Sequence, residues 1–123
     1  MTQPAYILLV DDDADGLFLI SRILNQAFPS SEIVLARDGA EALSVLSRLP
    51  IDAIVTDNCM SEMSGLQMTR EIRATGSRIP IVMVTGSDEL EAEAAQSGVT
   101  LFHRHSEWRS IADAVRRCWE ESK

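Results

Sequence analysis

Five apolar runs, continuous rather than alternating, are spaced along this chain, each followed by a stretch long enough for a helix. The first is Tyr6-Ile7-Leu8-Leu9-Val10; the others are Glu32 to Ala36, Asp52 to Thr56, Ile79 to Val84 around Pro80, and the more polar Thr100 to Arg104. A strand with one wet face alternates apolar and polar side chains. An unbroken run instead suits a strand covered on both faces, as in a parallel sheet.

The intervening stretches carry helical spacing. Leu17, Ile20, Leu24 and Ala27 share one face of the first, and Trp108, Ile111, Ala112, Val115 and Trp119 share one face of the last, which ends near Glu121. Asp38-Gly-Ala-Glu41 and Ser64-Gly-Leu-Gln67 each place an N-cap residue three positions before a side chain able to cap it reciprocally, starting the second and third helices. Gly76 and Gly98 stand where helices should end, because glycine takes the left-handed conformation after a last turn without steric cost. The fourth helix, Asp88 to Gln96, presents an inner face made mostly of alanine. A strict βαβαβαβαβα order implies right-handed crossovers and helices on both faces of a parallel sheet. Ligands of such sheets sit outside the carboxyl ends of the strands, where strand order reverses.

With 123 residues there is enough chain for one core and not for two, so residues 1–123 read as a single domain. The balance of 19 acidic against 11 basic side chains, net −8, argues against nucleic acid as a direct partner, since that affinity rests on clustered Lys and Arg. No run approaches the ~20 apolar residues of a membrane-spanning helix. The opening Met-Thr-Gln-Pro lacks the basic-then-apolar pattern of an export signal. A cytoplasmic protein without a membrane partner is therefore expected, with Cys59 and Cys118, which match no metal-ligand spacing, both reduced.

At the strand ends stand Asp11, Asp12 and Asp13 after the first run, Asp57 after the third, Thr85 after the fourth and His105 after the fifth. A lone Asp there would be explained as a helix cap, stabilising by a few tenths to ~1 kcal/mol, and Asp13 is read that way. Carboxylates converging from two strands are different, because packed like charges raise one another's pKa unless a cation sits among them. Hard oxygen donors without an all-protein cage suit Mg²⁺, which prefers a few carboxylates together with phosphate oxygens and waters. A carboxylate beside that ion can act as a nucleophile and form an acyl phosphate, and Asp57 is the candidate.

Taken together, Ile7-Leu8-Leu9-Val10-Asp11-Asp12, Asp52-Ala53-Ile54-Val55-Thr56-Asp57 with Met60 and Met63-Ser64-Gly65 behind it, and Pro80-Ile81-Val82-Met83-Val84-Thr85-Gly86 make a specific set. Over essentially its whole length the chain resembles the receiver domain of two-component response regulators. The resemblance implies a flavodoxin-like doubly wound (βα)5 fold with strand order 2-1-3-4-5. It further implies that Asp57 takes a phosphoryl group from the phosphohistidine of a sensor histidine kinase or phosphotransfer protein, as in a phosphorelay. By the same resemblance Asp12 would ligate Mg²⁺ directly, Asp11 mainly through water, and the backbone carbonyl of Cys59 would be a further ligand. Thr85 would hydrogen-bond a phosphoryl oxygen, Gly86 would leave room for the donor, and Phe102 would turn inward as the aromatic switch. Signal would leave through the surface of helix four, strand five and helix five toward a downstream protein or a second copy of the chain. Such a domain is a regulatory phosphoacceptor whose own chemistry is limited to self-directed phosphoryl transfer and hydrolysis.

Three positions depart from the family. Its lysine and following cis-proline at the end of strand five are replaced, by count from Phe102, by His105 and Ser106, with Arg104 the substitute if the register shifts by one. A lysine supplies a permanent positive charge, whereas a histidine supplies one only when protonated. His103 is expected to face solvent without a role. Ser61 replaces a proline between Met60 and the Met63-Ser64-Gly65 turn, loosening that loop by ~0.4–1 kcal/mol through the unfolded state. Met60, Met63 and Met68 read as gap-filling side chains. The acidic surroundings of Cys59 argue against a reactive thiolate. Trp108 and Trp119 read as mainly core. The missing lysine and proline leave a second reading open, a pseudo-receiver that binds partners without phosphorylation. A third, a phosphatase of another Mg²⁺-dependent α/β fold using Asp11 and Asp13, leaves Asp57 unexplained.

Overall fold

The computed structural model describes residues 3–60 and 62–122; Ser61 and the first two residues of the opening Met-Thr-Gln-Pro, both read above, lie outside them. The apolar runs form strands β1 (Tyr6–Val10), β2 (Glu32–Ala36), β3 (Ala53–Asp57), β4 (Ile81–Thr85) and β5 (Leu101–Arg104). They alternate with helices α1 (Ala14–Ala27), α2 (Gly39–Arg48), α3 (Gly65–Ala74), α4 (Glu91–Ser97) and α5 (Ile111–Glu121). Every strand pair is parallel and the order is 2-1-3-4-5, the flavodoxin-like arrangement expected.

Successive strand residues point to opposite faces, and here both faces are covered. Ile7 and Leu9 of β1, Val55 of β3 and Val84 of β4 pack with Leu24 of α1 and Val115 of α5. Leu8, Val10, Ile54 and Ile81 turn the other way, onto Val45 of α2 and Met68 of α3. A smaller cluster joins Leu66, Met83 and Ala94, with Phe102 and Leu90 packed against it. Met60 and Met63 likewise pack against the α2–α3 side as fillers.

The local signals account for most boundaries. Asp13 caps α1 by accepting from the Asp15 N–H, and Ser64 and Gln67 complete a reciprocal capping box at 3.1 and 3.0 Å. At α2, Asp38 accepts from the Glu41 N–H at 2.7 Å, but the Glu41 carboxylate reaches back one residue further than expected, to the Arg37 N–H at 2.8 Å. Gly76 and Gly98 end their helices with φ of 90° and 101°. β4 starts at Ile81 rather than Ile79 because Pro80 has no N–H to give the ladder, although its carbonyl still accepts from Ile54 at 2.9 Å. β5 starts at Leu101 because the Thr100 hydroxyl, not a backbone carbonyl, accepts from the Ile81 N–H at 2.9 Å.

Three expectations are corrected. Trp108 does not lie on the last helix; it sits in a 3-10 turn over His105–Ser110, kinked at Glu107, and packs against the core from there while α5 begins at Ile111. The fourth helix opens as a 3-10 turn, Asp88–Leu90, before α4 proper. His103 does not face solvent: it is buried on β5, and its Nε2–H donates to the Glu107 carbonyl at 2.7 Å, with Ser110 Oγ 3.5 Å away. A buried imidazole needs such a partner, and the kinked turn supplies it in the Glu107 carbonyl, which also accepts from the Ser110 hydroxyl at 3.0 Å.

Glu62 has φ of 68°, the one positive value outside glycine among the described residues. A Cβ is strained there, so Glu62→Gly is expected to raise stability by about 1 kcal/mol and Glu62→Val to lower it. Urea unfolding midpoints of the three proteins check this.

Candidate functional site

β1 and β3 are neighbours, and β2 lies on the far side of β1. The connections leaving β1 and β3 therefore diverge to opposite faces and open a cleft at the carboxyl ends of these two strands. Asp11 is held at the end of β1 by donating its N–H to the Ala36 carbonyl at 3.1 Å, and its Oδ1 accepts from the Asp13 N–H at 3.0 Å. Asp57 is the last residue of β3, and its Oδ1 accepts from the Cys59 N–H at 3.4 Å. Asp11, Asp12 and Asp57 each offer one ligand atom, all within 4.8 Å of one another.

Burial pushes the Asp57 carboxyl above its ordinary 3.8; N–H groups of Cys59 and Asn58 and the charge of His105 oppose this, and Asp12 adds to it. Asp11 is raised for the same first reason, with Asp57, Asp13 and Asp12 adding repulsion against the Asp13 N–H. Two partly desolvated carboxylates that repel one another form a site that a hard cation would relieve.

Two glycines let the backbone close on this cluster. A Cβ on Gly16, in the first turn of α1, would lie 2.5 Å from Asp11 Oδ2. One on Gly65 would lie 2.5 Å from the Asp57 carbonyl oxygen. Asn58 ties the same corner: its Oδ1 accepts from the Leu66 N–H at 3.1 Å and its carbonyl from Gly65 at 3.2 Å. Sequence reasoning missed Gly16 and Asn58. A glycine in the first turn of an otherwise regular helix was the available signal for the former; Asn58 shows none.

The other predicted positions divide. Thr85 is buried at the end of β4, its Oγ1 accepting from the Ser87 N–H at 3.2 Å, and a Cβ on Gly86 would meet open space. Phe102 packs inward against the Met83 and Ala94 cluster, and Cys59 is an exposed free thiol. His105 is exposed and borders the cleft with Asp57 and Asp11, whereas Arg104 is directed to Asp88 at 3.3 Å. Of the two residues considered for the lysine's place, His105 is thus the one facing the carboxylates. No cis peptide occurs among the described residues, so Ser106 does not reproduce a cis-proline turn.

A family model described as the response regulator receiver domain matches residues 7–102. The chain belongs to that family. The transcriptional regulatory protein GlrR of Escherichia coli (strain K12) is 37% identical across 94% of this chain, which spans 27% of GlrR's length. The Francisella response regulator 1452 receiver domain has a TM-score of 0.88 at 22% identity, covering 98% of this chain and 100% of that one. The response regulator TrrA of Thermotoga maritima, in complex with Mg²⁺–BeF, has a TM-score of 0.82 at 24% identity, covering 92% of this chain and 97% of that one. These two likenesses are of fold. The chain is a response-regulator receiver domain of two-component signal transduction, which sets aside the phosphatase reading of Asp11 and Asp13. No helix among the described residues is long and apolar enough to cross a membrane.

Behind Asp57 this receiver domain holds a cavity of about 140 Å³ between α1, the sheet and the His105–Ser110 turn. Leu9, Val55 and Val84 form its floor, and Leu19, Ile20 and Trp108 its walls. The polar groups Asp11, Asp57 and His105 also line it.

The raised carboxyls carry a pH dependence. A group whose folded pKa lies above its unfolded value binds more protons when folded, so its contribution to stability falls as pH rises from about 3.8 through the folded value. In metal-free buffer Asp57→Asn is therefore expected to unfold at higher urea than the wild type at neutral pH, with the gap narrowing as pH falls toward 3.8. Paired urea titrations across that range check the sign.

Proposed function

We propose that residues 1–123 form a cytoplasmic receiver domain in which Asp57 accepts a phosphoryl group from the phosphohistidine of a histidine kinase or phosphotransfer protein. The observation that carries this is the convergence of Asp11, Asp12 and Asp57 from neighbouring strands to within 4.8 Å. The all-oxygen donor set fits Mg²⁺, which Asp11, Asp12, Asp57 and the Cys59 carbonyl would hold and which, when bound, neutralises charge on the phosphoryl oxygens. The Mg²⁺–BeF complex of the similarly folded TrrA supports the assignment.

An Asp57 carboxylate oxygen attacks phosphorus, the donor's P–N bond breaks, and an acyl phosphate remains on Asp57. The Thr85 hydroxyl, which accepts from the Ser87 N–H, donates its own hydrogen to a phosphoryl oxygen, and Gly86 leaves the approach open. His105 supplies positive charge from the β5 end when protonated. Movement of Thr85 then rearranges Phe102 and the Met83 cluster beside it, altering the α4–β5–α5 surface seen by a downstream protein or a second copy. Nucleic acid is not a direct partner in this scheme.

The test is titration with Mg²⁺ and beryllofluoride, read by the fluorescence of Trp108, which lines the cavity beside Asp57. A wild-type protein that gives no adduct overturns the proposal. The replacement of the lysine and proline at the end of β5, with Arg104 paired to Asp88 instead, favours one other reading, a phosphorylation-independent interaction module. Partner binding that is unchanged in Asp57→Asn and indifferent to Mg²⁺ and phosphodonor selects that reading instead.

A further inference from the structure

We propose that the cavity behind Asp57 binds a small organic cation, a benzene-sized apolar body carrying one primary ammonium group. The volume, about 140 Å³, is close to that of an engineered apolar cavity of about 150 Å³ that takes up benzene. Its floor is apolar and well covered: Leu9, Val55 and Val84 are 3%, 1% and 5% exposed. Ile20 and Trp108 close two sides, and Leu19, 40% exposed on α1, forms the rim.

The charge of the ligand follows from what lines the cavity. Asp11 and Asp57 both face it, and among the described residues no lysine or arginine does. Of the remaining polar residues there, Thr56 already donates to the Asp57 carbonyl at 2.9 Å, and His105 is exposed at the mouth, one basic ring against two carboxylates. An anionic ligand meets two carboxylates on a chain of net charge −8. A neutral apolar ligand strips water from those carboxylates without replacing it, which costs free energy. An ammonium group replaces the water with charge-assisted hydrogen bonds while its apolar body fills the space over Val55 and Trp108. The inference rests on cavity and charge and not on the phosphoacceptor reading. Because the site shares Asp11 and Asp57 with the carboxylate cluster, amine and Mg²⁺ are expected to weaken each other's binding reciprocally.

The test is calorimetry and heteronuclear NMR on the full chain with three probes: benzylammonium, benzyl alcohol and methylammonium. Benzylammonium is expected to bind saturably, at least tenfold more tightly than either control, with shifts at Gly16, Leu19, Val84 and Trp108. Leu19→Lys, a change at an exposed position, is expected to lower that affinity at least tenfold with the fold intact by circular dichroism. Saturating Mg²⁺ is expected to lower it similarly. Equal binding of benzyl alcohol removes the charge argument, and equal binding of methylammonium reduces the site to its carboxylates. Either result, shifts that map elsewhere, or affinity unaffected by Leu19→Lys or by Mg²⁺ overturns the proposal.

Discussion

Asp57→Asn forms no beryllofluoride adduct at any Mg²⁺ concentration, whereas the wild type saturates with a change in Trp108 emission; this is the largest effect expected of any single substitution here. The amide has the shape of the acid but neither the anionic oxygen that bonds to the fluoride complex nor the charge that draws in a cation. Two unit charges about 4 Å apart interact by about 4 kcal/mol at an effective dielectric of ~20. Asp57 is only partly buried, so water screens part of that, and a tenfold to hundredfold loss of Mg²⁺ affinity is expected alongside the missing adduct. Unfolding is not expected to explain the loss, because a raised Asp57 pKa means that removing this partly buried charge should leave the variant at least as stable at neutral pH. Mass spectrometry, fluorescence titration and urea unfolding on the same samples separate the two effects.

Gly16→Ala is expected to lower Mg²⁺ affinity by about 10- to 100-fold, the range seen when residues that orient metal ligands are changed. The new methyl would lie 2.5 Å from Asp11 Oδ2 and 3.3 Å from its Cγ, so the carboxylate must rotate away, giving up the Asp13 N–H at 3.0 Å. Fold stability opposes the loss of affinity. Alanine is favoured over glycine within a helix by ~1 kcal/mol, and the atom displaced is the free end of a side chain rather than backbone. The variant should therefore unfold at a urea concentration no lower than the wild type while binding the ion poorly. Parallel loss of stability and affinity would show that Gly16 matters for packing rather than for the position of Asp11.

Much of the site was legible because it depends on short-range rules. Asp11, Asp12 and Asp57 end apolar runs, and the topology of any parallel sheet carries such ends to one edge. Ser64 and Gln67, only three residues apart, cap each other within α3. Cys118 shows where pattern reading loses detail: the thiol, pushed up to about 11 by burial, lies on the inner face of α5, while Trp119 is only half-buried.

What one residue meets across the sheet is not a local property. His103, Arg104 and His105 are consecutive and all carry nitrogen donors, yet one is buried against the Glu107 carbonyl, one is paired with Asp88 and one borders the carboxylates. Sequence could rank them only by counting from Phe102; the pleat of β5 and the kinked turn after it chose among them. The alternation of apolar runs with helical spacing thus determined the parallel sheet and the edge where its acids gather, since both follow from backbone period and burial. The direction of each nitrogen, the approach of Gly16 to Asp11 and the cavity under Trp108 were decided by how distant elements pack, which no spacing along the chain encodes.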